Sequence, residues 1–471
     1  MNRIPIVLFL ISFVVMGFEM IAARLLTPYF GSTIYTWGAV ISIFLLGSSV
    51  GYSVGGKMAD HRSKDRWLRI LLVTGLLWVS ILSYISGYVL PLFSTLPEEF
   101  AVIAGAFTLF FLPNTAWGAV LPIIMKEGFV HNLSGRRIGY YHTVSALGSV
   151  GGTILTTFIL LPNISLPIIL SIFTGCLLLA IALLYRRSTQ TMFLLIPLTA
   201  AIFIPLSYEN NAFATEEKGR LTYKWASPYH DLYVVELPEY EGVKGNYRFL
   251  MFDSKSFQGG IDLDNPKSIL LTYIQDMVAL ATQYQPNPAS VFMIGHGVGT
   301  LATHYQENGV KTESAELDPK VLEISRDYFH YAGENVTIGD GRQVLKGKPS
   351  RSYNIIFVDA YQNDAIPFHL TTKEFFLSTH DKLTEDGILM LNVVGRSKGD
   401  LVMNSIVRTV QESYPYVKVF GRKEAGEQRQ NLLVVAGKSP LPKETIPALQ
   451  EVTIEAGEII TDQAATHPRL Q

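Results

Sequence analysis

The chain of 471 residues balances 38 Lys and Arg against 40 Asp and Glu, and a net charge of −2 offers no basic excess for a nucleic-acid partner. Its single cysteine, Cys176, excludes an intrachain disulfide and a cysteine-based metal site. The length suffices for two domains, and near residue 208 the composition shifts from apolar runs with charges confined to loops to an ordinary globular mixture.

Before that shift, apolar runs recur at 4–24, 36–58, 68–92, 101–123, 138–161, 164–185 and 191–207. A helix crossing a bilayer needs about 20 apolar residues, and six runs satisfy this. The seventh is short and carries Pro197 and Pro205, which leaves spanning, re-entrant and interfacial placements open. The first run is too long for a cleaved signal peptide, and no small-residue cleavage site follows it. Residues 1–208 therefore read as a transmembrane helical domain, in contact with the lipid of a bacterial cell membrane. The loop His61–Arg66, the loop carrying Lys126, Arg136 and Arg137, and the pair Arg186-Arg187 are basic, whereas the loops around 96–100 and 162–163 have no Lys or Arg. The positive-inside rule puts the basic set in the cytoplasm. The soluble half is expected there too, because nucleoside cofactors are made there; that requires the seventh run not to cross, or one of the six to be miscounted.

Within the apolar runs, Gly47, Gly51 and Gly55, and Gly148, Gly151 and Gly152, have the spacing of close helix packing. Glu19 and Arg24 read as an ion pair or interfacial anchors, and His142 as an interfacial residue, ahead of roles lining a transport path.

After residue 208 a small β-rich module is expected over 209–288, from the alternation at Asp231–Glu236 and Tyr247–Asp253. A doubly wound, Rossmann-like α/β domain follows over 289–440, and 441–471 reads as a C-terminal tail. Val291–Ile294 is a strand opening onto Gly295, Gly297 and Gly299, and a second strand ends at Glu316. Glycines let backbone approach a ligand, and an acid at that distance can accept both ribose hydroxyls, so this is a nucleoside site. Asp340-Gly341 follows a short third strand; its carboxylate is placed to accept from an adenine amine or to cap a turn. Asp359 and Asp364 bracket the end of an apolar strand over Ser352–Val358, where carboxylates suit a cationic substrate or removal of its proton. A cap before Pro367 is the competing role for Asp364. A hairpin of Val417–Phe420 with Leu432–Ala436 closes the sheet.

At these residues the chain resembles the polyamine aminopropyltransferases (the spermidine synthase family), and more closely their membrane-fused relatives. The resemblance rests on Ser227-Pro-Tyr229, Gln258, Tyr273, Gly295-His-Gly-Val-Gly299, Glu316-Leu-Asp-Pro319, Asp340-Gly341 and the stretch Asp359–Leu370. In the membrane half it rests on Glu19–Gly31 and Gly47–Gly56. It implies aminopropyl transfer from decarboxylated S-adenosylmethionine to an amine, without a metal. Glu316 would hold the ribose, Asp340 the adenine, and Asp359 would steer and deprotonate the amine, with Tyr229, Gln258, Tyr273 and Asp364 lining the acceptor site. The chain departs from the soluble synthases at Val298, which stands where they carry an acid, at His230 and at Ile274-Gln275. These departures keep S-adenosylmethionine-dependent methyl transfer open, and a transporter with a nucleoside-sensing domain remains a third reading. The acceptor is an amine or a membrane-dissolved molecule, and a homodimer is left open.

Overall fold

The computed structural model describes residues 3–30, 34–93, 96–128, 135–185, 199–205, 219–227, 229–252, 256–361, 366–442 and 446–464. The chain forms two compact units: Met1–Lys218 with Trp225–Asp231, and Gly219–Lys224 with Leu232–Gln471.

The first unit is a helical bundle of α1 (Ile4–Phe30), α2 (Ile34–Ala59), α3 (Lys64–Val89), α4 (Glu98–Ala106), α5 (Leu112–Gly128), α6 (Gly135–Leu155) and α7 (Leu166–Tyr185). A π-helical turn at Phe107–Phe111 fuses α4 and α5 into one span, and another at Thr156–Leu160 prolongs α6. Among the described residues, six helices are thus long and apolar enough to cross a membrane. Of the seventh apolar run, 191–198 and 206–207 lie outside the described residues, and 199–205 include a 3-10 turn at Ala200–Ile202.

Small residues set the packing. A Cβ on Gly51 would come within 2.4 Å of the Thr115 carbonyl oxygen, and one on Gly55 within 2.2 Å of that of Ala119. On α6, a Cβ on Gly152 would meet the Phe13 carbonyl oxygen at 2.2 Å. Without bilayer water to drive association, such backbone proximity is what helix pairs gain from glycine. Arg24 donates to the Ser227 carbonyl at 3.1 Å and pairs with Asp231 at 3.1 Å, within the same unit. Glu19 therefore does not pair with Arg24.

The second unit begins with an antiparallel sheet of β1 (Arg220–Ala226), β2 (Asp231–Tyr240), β3 (Val243–Phe252) and β4 (Ser256–Asp262), in that order. Its inward residues Leu232, Val234, Leu250 and Ile261 share a core with Val298, Val321, Ile324 and Phe329 of the domain that follows.

That domain is built on β5 (Ser290–Ile294), β6 (Lys311–Glu316), β7 (Val336–Ile338), β8 (Tyr353–Val358), β9 (Leu383–Gly395), β10 (Tyr416–Arg422), β11 (Gln430–Gly437) and β12 (Leu449–Glu451). The strand order is β12-β10-β11-β9-β8-β5-β6-β7. From β7 to β9 the strands are parallel, and β11, β10 and β12 join antiparallel. Val291–Ile294 and Ile355–Val358 are buried throughout, as strands covered on both faces must be. The order reverses at β5, with β6 on one side and β8 on the other; ligands of doubly wound sheets bind at the carboxyl ends of strands at such a point. The stretch 441–471 is more than an appendage: β12 extends the sheet edge, and Ile460 is buried in the core.

Gly51→Val should expel α2 from α5 and sharply reduce the folded fraction recovered in mild detergent. Gly38→Val, on the same helix but with open space at its Cβ, should be tolerated. Size-exclusion profiles of the two variants check this; equal recovery would show that the glycine contact does not hold the pair together.

Candidate active site

Gly295 leaves β5 with φ at 92°, and a Cβ there would lie 2.1 Å from the Asp359 carbonyl oxygen. Both facts demand glycine: the left-handed backbone and the close approach of the segment leaving β8. The Asp359 amide donates to the Ile294 carbonyl at 2.9 Å, so the ends of β5 and β8 are fastened together. Gly299, with φ at 85°, precedes α9 (Thr300–Glu307; α8 is Thr272–Tyr284) and lies against the Tyr331 ring. The loop between them is roofed by β4, whose Gln258 carbonyl oxygen is 3.4 Å from a Cβ on Gly297.

Glu316, at the end of β6, turns into this loop. One carboxylate oxygen accepts from the His296 amide at 3.0 Å and the other from the Asp318 amide at 3.0 Å. Burial raises its pKa above the ordinary value; the amides of Asp318, His296 and Gly297 work in the opposite direction. A carboxylate has about four acceptor positions, so capacity remains for hydroxyl donors. His296 is itself buried, with Nε2 3.3 Å from Ser325 Oγ and its ring packed edge-on to Tyr331. Burial and the charge of Arg326 bring its pKa down to about 4, so it is neutral near pH 7.

Asp340 caps α11 (Gly341–Lys346; α10 is Pro319–Phe329), accepting from the Gln343 amide at 2.9 Å, while its other oxygen meets His369 Nε2 at 2.6 Å. Gly341 is required by packing, since a Cβ would be 2.3 Å from Ile294 Cγ2. The neighbouring Arg342 makes two bonds to Asp462, at 2.8 and 2.7 Å.

Asp359 ends β8 in a polar network set into the core. Asn392 Nδ2 donates to one oxygen at 2.9 Å, and the Tyr273 hydroxyl donates to the other at 3.2 Å. Asn392 in turn accepts from Asn431 at 2.9 Å, and the Tyr361 hydroxyl donates to the Asn392 backbone carbonyl at 2.7 Å. Burial raises the Asp359 pKa, against the lowering effect of Asn392 and Tyr273. Burial also raises the Tyr273 hydroxyl well above its usual range, with the charge of Asp359 adding to the shift.

The structure thus places Gly295, Gly297, Gly299, Glu316, Asp340, Gly341, Tyr273, Gln258 and Asp359 in one unit at the carboxyl edge of the sheet. Tyr229 clusters with the helical unit and is exposed, its amide held by Ser227 Oγ at 3.1 Å. Asp364 lies outside the described residues. Val298 is buried in the shared core of the two sheets and does not present a polar group. Asn392, Tyr361 and His369 were not singled out from sequence. A buried Asn inside the apolar run of β9 was the one visible signal, since a strand interior seldom carries an amide without a partner. Among the described residues no group of three His, Cys, Asp or Glu converges on a metal position.

The profile of the Spermine/spermidine synthase domain matches residues 270–420, from α8 through β10. The C-terminal half carries a spermine/spermidine synthase domain. The polyamine aminopropyltransferase of Vibrio vulnificus is 28% identical over 224 residues, covering 45% of this chain and 69% of that protein. The probable polyamine aminopropyl transferase of Bifidobacterium longum is 30% identical over 132 residues, covering 27% of this chain and 29% of its own. A probable spermidine synthase from Corynebacterium glutamicum superposes with a TM-score of 0.42 at 16% identity, over 50% of this chain and 90% of that structure. The synthase domain contributes every strand that ends at the glycine loop, Glu316 or Asp359.

Gly295→Ala should destabilise the synthase domain by more than the cost of its φ alone. Gly309→Ala, at positive φ just past α9 but in open space, isolates that backbone cost of about 1–2 kcal/mol. Hydrogen exchange of synthase-domain peptides across a denaturant series, read by mass spectrometry, compares them, and equal losses would show that the approach of Asp359 is not tight.

Proposed function

We propose that the protein is a membrane-bound transferase that moves an aminopropyl group from decarboxylated S-adenosylmethionine to an amine. The observation that carries this reading is the buried carboxylate of Asp359, held by Asn392 and Tyr273 at the end of β8, next to a glycine loop and ribose-binding acid of nucleoside type. The amine nitrogen attacks the propyl carbon bonded to the sulfonium, the carbon–sulfur bond breaks with its electrons going to sulfur, and methylthioadenosine leaves. Asp359 takes the proton that the attacking nitrogen gives up. Its raised pKa improves it as a base relative to a solvated aspartate. Glu316 fixes the ribose, Asp340 with His369 flanks the adenine, and Gln258 and Tyr273 border the acceptor. The basic loops of the helical half favour a cytoplasmic synthase domain.

Methyl transfer from S-adenosylmethionine is the second reading, and one observation favours it. Val298 is buried among Leu232, Ile261 and Val321, so this loop has no carboxylate there to grip a donor's amine.

Two substitutions separate the roles. Glu316→Gln should abolish binding of S-adenosyl compounds, because an amide cannot accept on both oxygens, and Asp359→Asn should retain binding and lose about 10²–10⁴ in rate. In Asp359→Asn the amide can accept from Asn392 and donate to the Tyr273 oxygen, so the network survives with one bond reversed. Calorimetry and single-turnover transfer with each donor on the same preparation read both; near-normal transfer by Asp359→Asn would remove its role as base.

Asn392→Ala removes a donor that lowers the Asp359 pKa, so that carboxyl should rise further. The base must be deprotonated, so the acid limb of the pH–rate profile should move to higher pH, with the rate largely recovered at alkaline pH. An unmoved limb with a uniformly lower rate would mean that Asn392 serves only packing.

A further inference from the structure

The helical unit repeats itself. Gly148 and Gly152 of α6 lie on Phe9 and Phe13 of α1, and Gly47 and Gly51 of α2 lie on Phe111 and Thr115 at the start of α5. A shift of just over one hundred residues, the same to within one residue, takes Phe9 to Phe111, Phe13 to Thr115, Gly47 to Gly148 and Gly51 to Gly152. It likewise takes Ser12 to Asn114 and Phe44 to Ser145, and so relates the polar bonds within each pair: Ser12 Oγ to Ser145 Oγ at 2.7 Å, and Asn114 Nδ2 to the Phe44 carbonyl at 2.5 Å. In both pairs contacts advance in the same direction along the two helices, so α1 runs parallel to α6, and α2 to α5. The main pairings obey the relation too: α1 packs on α7 as the α4–α5 span packs on α3, and α3 meets α7 across the middle. Three helices are therefore followed by three in the same arrangement. An odd number of crossings per repeat turns the second copy upside down in the membrane. Inverted repeats of this kind are an architecture of carriers, with the solute site between the copies near the midplane.

Glu19 is placed for such a site. It is about three turns inside α1, roughly 16 Å along the helix from Phe30. Every other Asp or Glu on the spanning helices sits within one residue of a helix end. Glu19 has no hydrogen-bond or ionic partner among the described residues, and an acid at such depth is costly unless it meets a cation. Its neighbour Phe18 closes the middle of the bundle against Phe44, Phe110 and Trp117, with ring centroids 6.1, 5.5 and 5.0 Å away. Around this plug lie fully buried polar atoms without partners: Asn114 Oδ1, Thr156 Oγ1 and Trp117 Nε1. The amide oxygen accepts, as Glu19 does, the threonine hydroxyl is able to accept, and native interiors seldom leave such groups unmatched.

We propose that the six-helix unit carries a small organic ammonium ion across the membrane, with Glu19 as its counter-charge and the Phe18 cluster as its closed gate. The cationic character follows from Glu19 and the unpartnered oxygens. The choice of an ammonium over an alkali ion rests on the amine-transfer reading of the synthase domain.

The full chain, purified and reconstituted in neutral phospholipid vesicles, should take up radiolabelled putrescine saturably and above protein-free vesicles. Glu19→Gln should lower uptake at least tenfold with an unchanged size-exclusion profile in mild detergent, which shows the helical unit folded; Glu19→Asp should restore part of it. Uptake no greater than in empty vesicles, uptake indifferent to Glu19→Gln, or proton entry without amine would each overturn the proposal. Uptake of putrescine by a protein that transfers no aminopropyl group would uphold it while the transferase reading fails. In a Cys176→Ser background, single cysteines at the exposed Ser63 and Asn163 should react with impermeant maleimide from opposite faces. Reaction from one face would overturn the inverted repeat.

Discussion

The approach of the Asp359 carbonyl to Gly295 is the constraint on which the synthase domain's chemistry depends. It brings the ends of β5 and β8 to within a backbone's width, because no side chain intervenes. The glycine loop can then curl over Glu316 through the His296 amide, while the Asp359 side chain points the other way into the Asn392–Tyr273 network. Glu316 and Asp359 are thereby held to one turn, the turn that leaves β5. Their separation is set by main-chain packing, which thermal motion changes little, rather than by side-chain rotamers.

The two carboxylates solve opposite electrostatic problems with the same ingredient. Both are pushed toward their neutral forms by burial. Glu316 is offset by amides of its own loop, a fixed arrangement that works toward the charged form. Asp359 is offset by the side chains of Asn392 and Tyr273, and Asn392 is itself bonded to Asn431 and, through its backbone carbonyl, to Tyr361. The first arrangement suits holding; the second suits a group whose charge changes during a reaction.

Periodicity made the sheet and the six spans legible, because strands buried on both faces and membrane helices are the segments whose apolar runs leave least choice. The loop glycines, Glu316 and Asp359 could be read from position relative to strand ends. What sequence could not supply was the partner of each acid. Asn392 and Tyr361 come from segments on opposite sides of a helix, and only the register of β8 with β9 brings Asn392 to Asp359. Arg24 and Glu19 looked like mates because they are close in sequence; five residues on a helix put them on different faces, and Arg24 instead reaches Asp231. The stretch after 440 has turn-rich composition and little periodicity, so β12 and the burial of Ile460 were invisible in it.

That terminal stretch works as a strap. The Ile460 amide bonds to Thr409 at 2.9 Å, its carbonyl accepts from Lys373, and two residues later Asp462 grips Arg342, beside the helix cap Asp340. The Asp340 turn is thus braced by residues more than a hundred positions downstream. A nick or frameshift just before Glu458 would leave Glu316, Asp340 and Asp359 in the polypeptide and still slacken that turn.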